Sequence, residues 1–421
     1  MPLQIFNYIY CVPLNYITRS IEPCILKAAK QFPGIVLTGP RQSGKTTLLR
    51  HLYPSNTFIS LDDPLIRQQA TDDPGILFGK GQNVSYTIDE IQYVPELTTY
   101  IKMLIDRERQ AFGRFFITGS QRFALMKKLG DSLAGRVALL ELLPFDEQEA
   151  VVARGPSGPI EQFTEACLNS RFPEPFCNRH DERRLWYGSY FQTYIERDVR
   201  TLSNVGDLRD FTRFVRLLAA HVSQELNMSS LASDVGTSVN TIKRWVSILE
   251  NSRVVYLLDP WFSNIGKRIV KTPKVYFIDS GLVCFLMGIS TKDVLLNGPL
   301  AGHLFENYCI SETIKLFHNQ GITPRMYFFK THGGAEIDLI VENDRSGYYL
   351  AECKLSASPM PAMAAHLEKT GALLFNSNLI TGRTVVTCSP ETRALTPHSN
   401  AMSSAEFLKD LRAFIGNPAH A

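Results

Sequence analysis

Eight consecutive residues, Gly39-Pro40-Arg41-Gln42-Ser43-Gly44-Lys45-Thr46, fit the pattern G-x-x-x-x-G-K-[ST]. An apolar strand-like run, residues 35–38, leads into them, and a helical stretch, residues 45–53, leads away; this setting gives the pattern its meaning. Glycines let such a loop curl until its backbone N–H groups face inward. Together with the positive end of the following helix they form a cradle for phosphate oxygens. Lys45 is expected to reach the outer phosphates and the hydroxyl of Thr46 to ligate Mg2+, with residues 39–47, Thr47 included, lining a bound ATP.

A second apolar run, Tyr86-Thr-Ile, ends in Asp89 and Glu90. Downstream of such a loop, Asp89 suits a carboxylate holding Mg2+ through water, and Glu90 one that polarises an attacking water. Alone, the pair would read as a solvated turn. Phe115-Phe-Ile-Thr118-Gly-Ser120 is another apolar run with hydroxyls at its end, where Thr118 or Ser120 could sense the terminal phosphate. Arg136, just before the run at 137–140, is the candidate arginine for completing a site in its own chain or a neighbour; an ordinary surface arginine is the alternative.

A separate constellation lies further along. Asp338, in Glu336-Ile-Asp-Leu-Ile-Val, and Glu352-Cys-Lys354 form a D…ExK pattern spread over two strand-like runs, with Glu306 on a helical stretch upstream. Asp338 and Glu352 could hold Mg2+, Lys354 could orient water and Glu306 could support the ion. Composition alone produces such a loose pattern often, and a salt-bridged strand end is the competing reading.

The elements that must position these groups fall into an order. A short amphipathic helix at 20–32 precedes strands at 35–38, 57–60, 84–88, 115–118 and 137–140, alternating with helices at 45–53, 96–109 and 125–133. That rhythm predicts a parallel sheet covered on both faces. Gly155–Pro159 reads as a linker, followed by a mostly helical stretch. Residues 229–236 and 239–249 are amphipathic helical patterns joined by a glycine turn and followed by a strand at 254–258. This is the pattern of a winged helix-turn-helix, with Asn240, Thr241, Lys243 and Arg244 early in the second helix. Lys267, Arg268, Lys271 and Lys274 form a basic cluster suited to phosphates.

The expected architecture is therefore α/β: a P-loop NTPase parallel sheet, then a winged-helix unit and a restriction-endonuclease-like α/β domain. The boundaries read as 1–19 (extension), 20–150 (ATPase-like domain), 151–206 (helical lid or linker), 207–265 (winged helix) and 266–421 (nuclease-like domain). With 421 residues, 44% hydrophobic and 20% charged, the chain has ample material for such cores. A net charge of +3 is too balanced to demand a nucleic-acid partner. The 8 cysteines show neither CxxC pairs nor metal-ligand spacing, which suits reduced thiols in the cytoplasm. No run is long and apolar enough to span a bilayer.

Taken together, Gly39-Pro-Arg-Gln-Ser-Gly-Lys-Thr-Thr, Ile88-Asp-Glu-Ile-Gln, Thr118-Gly-Ser, Ser132-Leu-Ala-Gly-Arg, Tyr194-Ile-Glu-Arg-Asp-Val and Glu336-Ile-Asp-Leu make the chain resemble prokaryotic AAA+-superfamily ATPases. These carry a C-terminal domain of unknown function related to the PD-(D/E)xK nucleases. The resemblance implies ATP and Mg2+ as cofactors, an ATPase activity and a nuclease-like last domain. Three functions compete: an ATP-hydrolysing switch driving the winged-helix and C-terminal modules, an ATP-regulated Mg2+-dependent nuclease on DNA or RNA, and an ATP-binding scaffold without turnover. A DNA or protein partner through the winged helix and a homo-oligomer both remain open.

Overall fold

The computed structural model describes residues 16–78, 84–120, 133–177, 183–195, 208–262, 272–331, 333–344 and 347–416. The helix expected at 125–133 lies outside these up to residue 132, as do the first fifteen residues, Lys267, Arg268 and Lys271. The Tyr194–Val199 motif falls outside them beyond Ile195. The chain divides into two compact units. The first takes the described residues up to Thr38 and Gly44–Leu142; the second takes Gly39–Ser43 and everything from Leu143 onward.

In the first unit, α1 (Glu22–Ala28) precedes β1 (Gly34–Thr38), α2 (Lys45–Leu52), β2 (Thr57–Ser60), α3 (Pro64–Asp72), β3 (Tyr86–Asp89), α4 (Leu97–Arg107), β4 (Phe115–Thr118) and β5 (Val137–Glu141). The five strands pair in parallel in the order β2-β3-β4-β1-β5. All five expected strands form, and the parallel sheet is as the alternation implied. Alternate side chains of β1 enter two different cores. Val36 joins Ile88, Ile117 and the helical residues Ile101 and Ile105, whereas Ile35 and Leu37 join Phe116, Leu48 and Ile25. Successive side chains of a strand point to opposite faces, so a run buried at every position requires cover on both. The same geometry lines up the carboxyl ends of β1, β3 and β4 along one edge of the sheet.

The second unit opens with α5 (Glu147–Arg154), α6 (Pro159–Asn169), α7 (Pro173–Cys177) and α8 (Arg183–Tyr190). Next come α9 (Leu208–Ala220), α10 (Met228–Val235) and α11 (Val239–Asn251), then the antiparallel pair β6 (Val255–Leu258) and β7 (Lys274–Phe277). Asn227 and Ser238 cap α10 and α11 by accepting from N–H groups of their first turns, and left-handed Gly236 ends α10. Helices α12 (Ser280–Met287), α13 (Lys292–Asn297) and α14 (Ala301–Asn319) lead to a mixed sheet, β8 (Met326–Lys330), β9 (Glu336–Glu342), β10 (Tyr348–Cys353), β11 (Ile380–Val386), β12 (Arg393–Thr396) and β13 (Ser399–Met402). Its strand order is β12-β13-β11-β10-β9-β8. Helix α15 (Ala362–Leu374) lies between β10 and β11 in sequence and α16 (Ser404–Gly416) follows β13.

One apolar core runs through the whole second unit, from Leu143 through Phe214, Trp245, Phe277 and Phe305 to Leu411. Helix α14 sits inside it, buried from Leu304 to Phe317 without a break. A helix enclosed on all sides must satisfy its polar residues internally, and α14 carries Glu306, Asn307, Ser311, Glu312 and Lys315 in that position. Lys315 donates to Glu312 at 2.7 Å and to the Phe145 carbonyl at 3.0 Å.

Candidate functional site

Between β1 and α2 the loop takes a path that ordinary residues avoid: Gly39 (φ 138°), Gln42 (φ 60°) and Gly44 (φ 92°) all have positive φ. Gly44 is the residue before helix α2, so Lys45 and Thr46 stand in its first turn. Lys45 is buried.

Across from this turn β3 ends at Asp89. The Thr46 hydroxyl donates to Asp89, 2.9 Å from Oδ1 and 3.0 Å from Oδ2. Thr118, at the end of β4, also donates to Asp89 Oδ1 and accepts from the Glu90 backbone N–H at 3.1 Å. Burial pushes the Asp89 carboxyl above its ordinary range. The neighbouring Glu90 charge adds to this, while the two threonine hydroxyls and the Lys45 ammonium oppose it. A buried carboxylate bonded to a threonine hydroxyl is an oxygen pair that fits Mg2+.

Glu90 itself has a left-handed backbone (φ 59°), uncommon for a residue with a side chain. Its carboxylate accepts from the Gln92 amide and from Ser120 Oγ (3.3 Å), and Gln92 Nε2 also donates to Ser120 Oγ at 3.2 Å. The structure thus brings Lys45, Thr46, Asp89, Glu90 and Ser120 to one edge of the sheet. Gln92 was missed as a functional residue, although it stands within Ile88-Asp-Glu-Ile-Gln. A short 3-10 turn at Ile91–Tyr93 swings it back toward Glu90.

Arg136 is not brought to the glycine loop of its own chain. Val137 pairs with Gly34, the first residue of β1, so Arg136 lies at the opposite edge, about 16 Å away by the length of a five-residue strand. Its guanidinium grips Asp106 with a fork, Nε to Oδ1 at 2.7 Å and Nη2 to Oδ2 at 3.0 Å. A role within its own site is therefore corrected, because the strand's length separates it from the loop.

In the second unit, Glu306, Asp338, Glu352 and Lys354 do gather. Glu336 and Asp338 share a face of β9 two residues apart. The register that pairs Ala351 with Leu339 brings Glu352 opposite Asp338 when continued one step. The Cys353 N–H donates to Asp338 Oδ2 at 2.9 Å, and Lys354 Nζ donates to Glu352 Oε1 at 2.7 Å. The centre also holds a group the sequence reading had placed elsewhere. Lys274, expected in a surface cluster for phosphates, is 2% exposed; its ammonium stands 2.9 Å from Glu306 Oε1, 2.8 Å from Glu336 Oε1 and 3.9 Å from Asp338 Oδ1. Tyr276, two residues on along β7, donates to Glu306 Oε1 at 2.6 Å. Burial, with the Asp338 charge adding to it, pushes Glu306 up to about 7 and Glu352 up to about 8. Among the described residues no three His, Cys, Asp or Glu side chains are arranged to hold a metal ion, and the D…ExK residues as they stand do not fit one.

On the exposed side of α11, Asn240, Lys243 and Arg244 face solvent while Ile242, Trp245 and Val246 are buried. Among the described residues, no helix is long and apolar enough to cross a membrane.

Family comparison matches residues 31–151 to "AAA domain", residues 160–293 to "Domain of unknown function (DUF8612)" and residues 301–404 to "Domain of unknown function (DUF4143)". An uncharacterized protein of Mycobacterium tuberculosis, Rv2008c, is 32% identical over 346 residues, covering 81% of this chain and 74% of its own. An uncharacterized protein of Haemophilus influenzae is 25% identical over 212 residues, covering 48% of this chain and 52% of its own. Among solved structures, the Walker-type ATPase PABY2304 of Pyrococcus abyssi superposes with a TM-score of 0.44 at 12% identity, over 66% of this chain and 99% of that one. With its glycine loop on a five-stranded parallel sheet and an AAA domain over residues 31–151, the chain is a P-loop ATPase relative that belongs to the same family as the Mycobacterium tuberculosis protein.

Proposed function

We propose that the chain hydrolyses ATP with Mg2+ and uses the nucleotide state to switch its second unit. The observation that carries this reading is the convergence of Thr46 on Asp89 beside a Glu90 carboxylate held by Gln92 and Ser120. The loop from Gly39 to Thr47 would bind the phosphates through its N–H groups, and Lys45 would neutralise the outer ones. Thr46 and Asp89 would hold the Mg2+ ion, which supplies charge neutralisation at the phosphate oxygens when bound. Glu90 would orient the attacking water and take up its proton, with Ser120 and Gln92 fixing the carboxylate and Thr118 fixing the backbone that carries it. A scaffold that binds ATP without turnover has no use for so restrained a carboxylate.

The second unit supports two further readings. Three helices followed by a two-stranded antiparallel pair have the make-up of a winged helix, and the exposed Asn240, Lys243 and Arg244 on α11 are the groups that would touch DNA or a protein partner. The D…ExK residues on adjacent strands β9 and β10 support a nuclease-like origin for the last domain. The lysine among those carboxylates favours a binding module over a cutting one. We take cytoplasmic placement, and a homo-oligomer in which Arg136 serves a neighbour, as parts of the same proposal.

The test is Mg2+-dependent ATP turnover by the purified chain, with and without plasmid DNA, followed by electrophoresis of that DNA. Turnover lost in Glu90→Gln supports the switch. Absence of turnover with and without DNA would leave the scaffold reading, and DNA cut only when Asp338 is intact would establish the nuclease.

A further inference from the structure

The carboxylates gathered around β9 and β10 present a charge problem that the chain has already solved. Four acids, Glu306, Glu336, Asp338 and Glu352, converge from α14, β9 and β10. Three of them, Glu306, Asp338 and Glu352, are at most 8% exposed. Carboxylates taken out of water this far must be paired or given up as neutral acids. Two ammonium groups pair the buried acids, and Lys330 on β8 adds a looser contact to the more exposed Glu336, 3.8 Å from Oε2. Lys354 comes from the same strand as Glu352, as the sequence allowed. Lys274 comes from β7, across the helix, and reaches Glu306, Glu336 and Asp338 within 4 Å.

An ion serving a D…ExK centre would need oxygens of Asp338 and Glu352 at about 2.0–2.2 Å. With Glu306 as the third ligand it would stand among the oxygens that now face Lys274. Two positive centres a few ångströms apart in a buried site repel strongly, far more than in water. One feature marks the place as still shaped for a cation: Glu352 Oε2 is buried and accepts no hydrogen bond.

We propose that the ε-ammonium of Lys274 is the resident cation of this centre, standing where the metal of a nuclease-like domain would stand, so that the centre is an ionic lock between β7 and the C-terminal sheet. The domain then takes a divalent ion only when Lys274 is removed. This stands apart from the ATP reading, because neither Lys45 nor Asp89 takes part in it.

The test is Mn2+ binding to the full chain, followed by the electron spin resonance of free Mn2+, in wild type, Lys274→Met and Lys274→Met/Asp338→Asn. Asp338→Asn alone controls for ions held elsewhere. Wild type and Asp338→Asn should bind Mn2+ equally. Lys274→Met should take up one further equivalent with a dissociation constant below about 100 μM, and the double variant should lose at least tenfold in that affinity. Lys274→Met should also unfold at a lower temperature than wild type, with Mn2+ restoring part of the loss.

Should Lys274→Met fail to fold, Lys274→Met/Glu336→Gln removes one uncompensated charge and keeps Glu306, Asp338 and Glu352 for the same titration. Mn2+ uptake by wild type that Asp338→Asn abolishes would overturn the proposal, and that arm needs no lysine variant. A folded lysine variant that gains no Mn2+ would overturn it too, since the ammonium would then not occupy a cation's place.

Discussion

Thr46 and Asp89, 43 residues apart in sequence, are joined by a hydrogen bond from the threonine hydroxyl, 2.9 Å from Oδ1, at the point where helix α2 begins and strand β3 ends. A hydroxyl and a carboxylate placed this way are poised to share one cation. We expect Asp89→Asn to keep ATP binding in the absence of Mg2+ but to raise the Mg2+ concentration for half-maximal turnover at least tenfold. Unchanged Mg2+ dependence in a titration at saturating ATP would remove Asp89 from that role.

Lys45 is the buried cation in the first turn of α2, directly after the glycine loop. Its replacement by alanine should weaken a fluorescent ATP analogue by about 10–100-fold, the loss of a charge-assisted bond of about 1.5–3 kcal/mol. The circular dichroism spectrum should be unchanged, since the loop's path depends on Gly39 and Gly44. Affinity within twofold of wild type would refute the nucleotide assignment.

Glu90→Gln keeps the shape of the side chain and removes its basicity. ATP affinity should stay within about threefold while turnover falls by about 100-fold or more, the usual range for a positioned base. Gln92→Ala should lower turnover less, leaving affinity unaltered, because it loosens the carboxylate without removing it. Single-turnover kinetics separate the two.

Arg136 points away from its own loop and holds Asp106. In Arg136→Ala, ATP affinity measured on dilute protein should therefore match wild type within about twofold. A tenfold loss would mean that the guanidinium reaches the phosphates of its own chain after all.

Glu147 supplies a pH test. It is buried, accepts from the Tyr308 hydroxyl at 2.6 Å and lies near Glu312, Ser404 and Arg171; burial pushes its carboxyl up to about 6. The folded chain keeps this proton up to about pH 6, whereas the unfolded chain releases it near pH 4.5. Its contribution to stability is thus complete below about pH 4.5 and is lost as the pH rises through 6. Glu147→Gln, neutral throughout, should lose less stability than wild type between pH 5 and 7, by a few degrees in the unfolding midpoint. Parallel slopes for the two proteins in a fluorimetric melt would contradict this.

Much of the first unit was legible in the residues because its signals are local. A strand buried on both faces is apolar at every position, a phosphate loop needs glycines at fixed spacing, and an acidic pair at a strand end lies at the sheet's carboxyl edge by construction. The five strands and their parallel alignment follow from those facts, whereas the order β2-β3-β4-β1-β5 and the hydrogen bond from Thr46 to Asp89 come from the fold. Gln92 was harder to see, since only the 3-10 turn after Glu90 brings its amide back to that carboxylate.

What tertiary structure alone decided concerns charges that meet from distant parts of the chain. Arg136 stands before β5, so a parallel sheet already puts it at the edge away from the loop, but its forked bond to Asp106 at the end of α4 exists only in the folded chain. Lys274 sat among basic residues and read as solvent-facing, yet the pairing of β6 with β7 turns its face, with that of Tyr276, toward Glu306. Sequence shows which charges a chain carries; whether an acid's counter-ion is a metal or a lysine 32 residues away depends on which strands pack around one helix. The energy of a buried charge is set by its neighbours within a few ångströms, and those neighbours exist only in the folded chain.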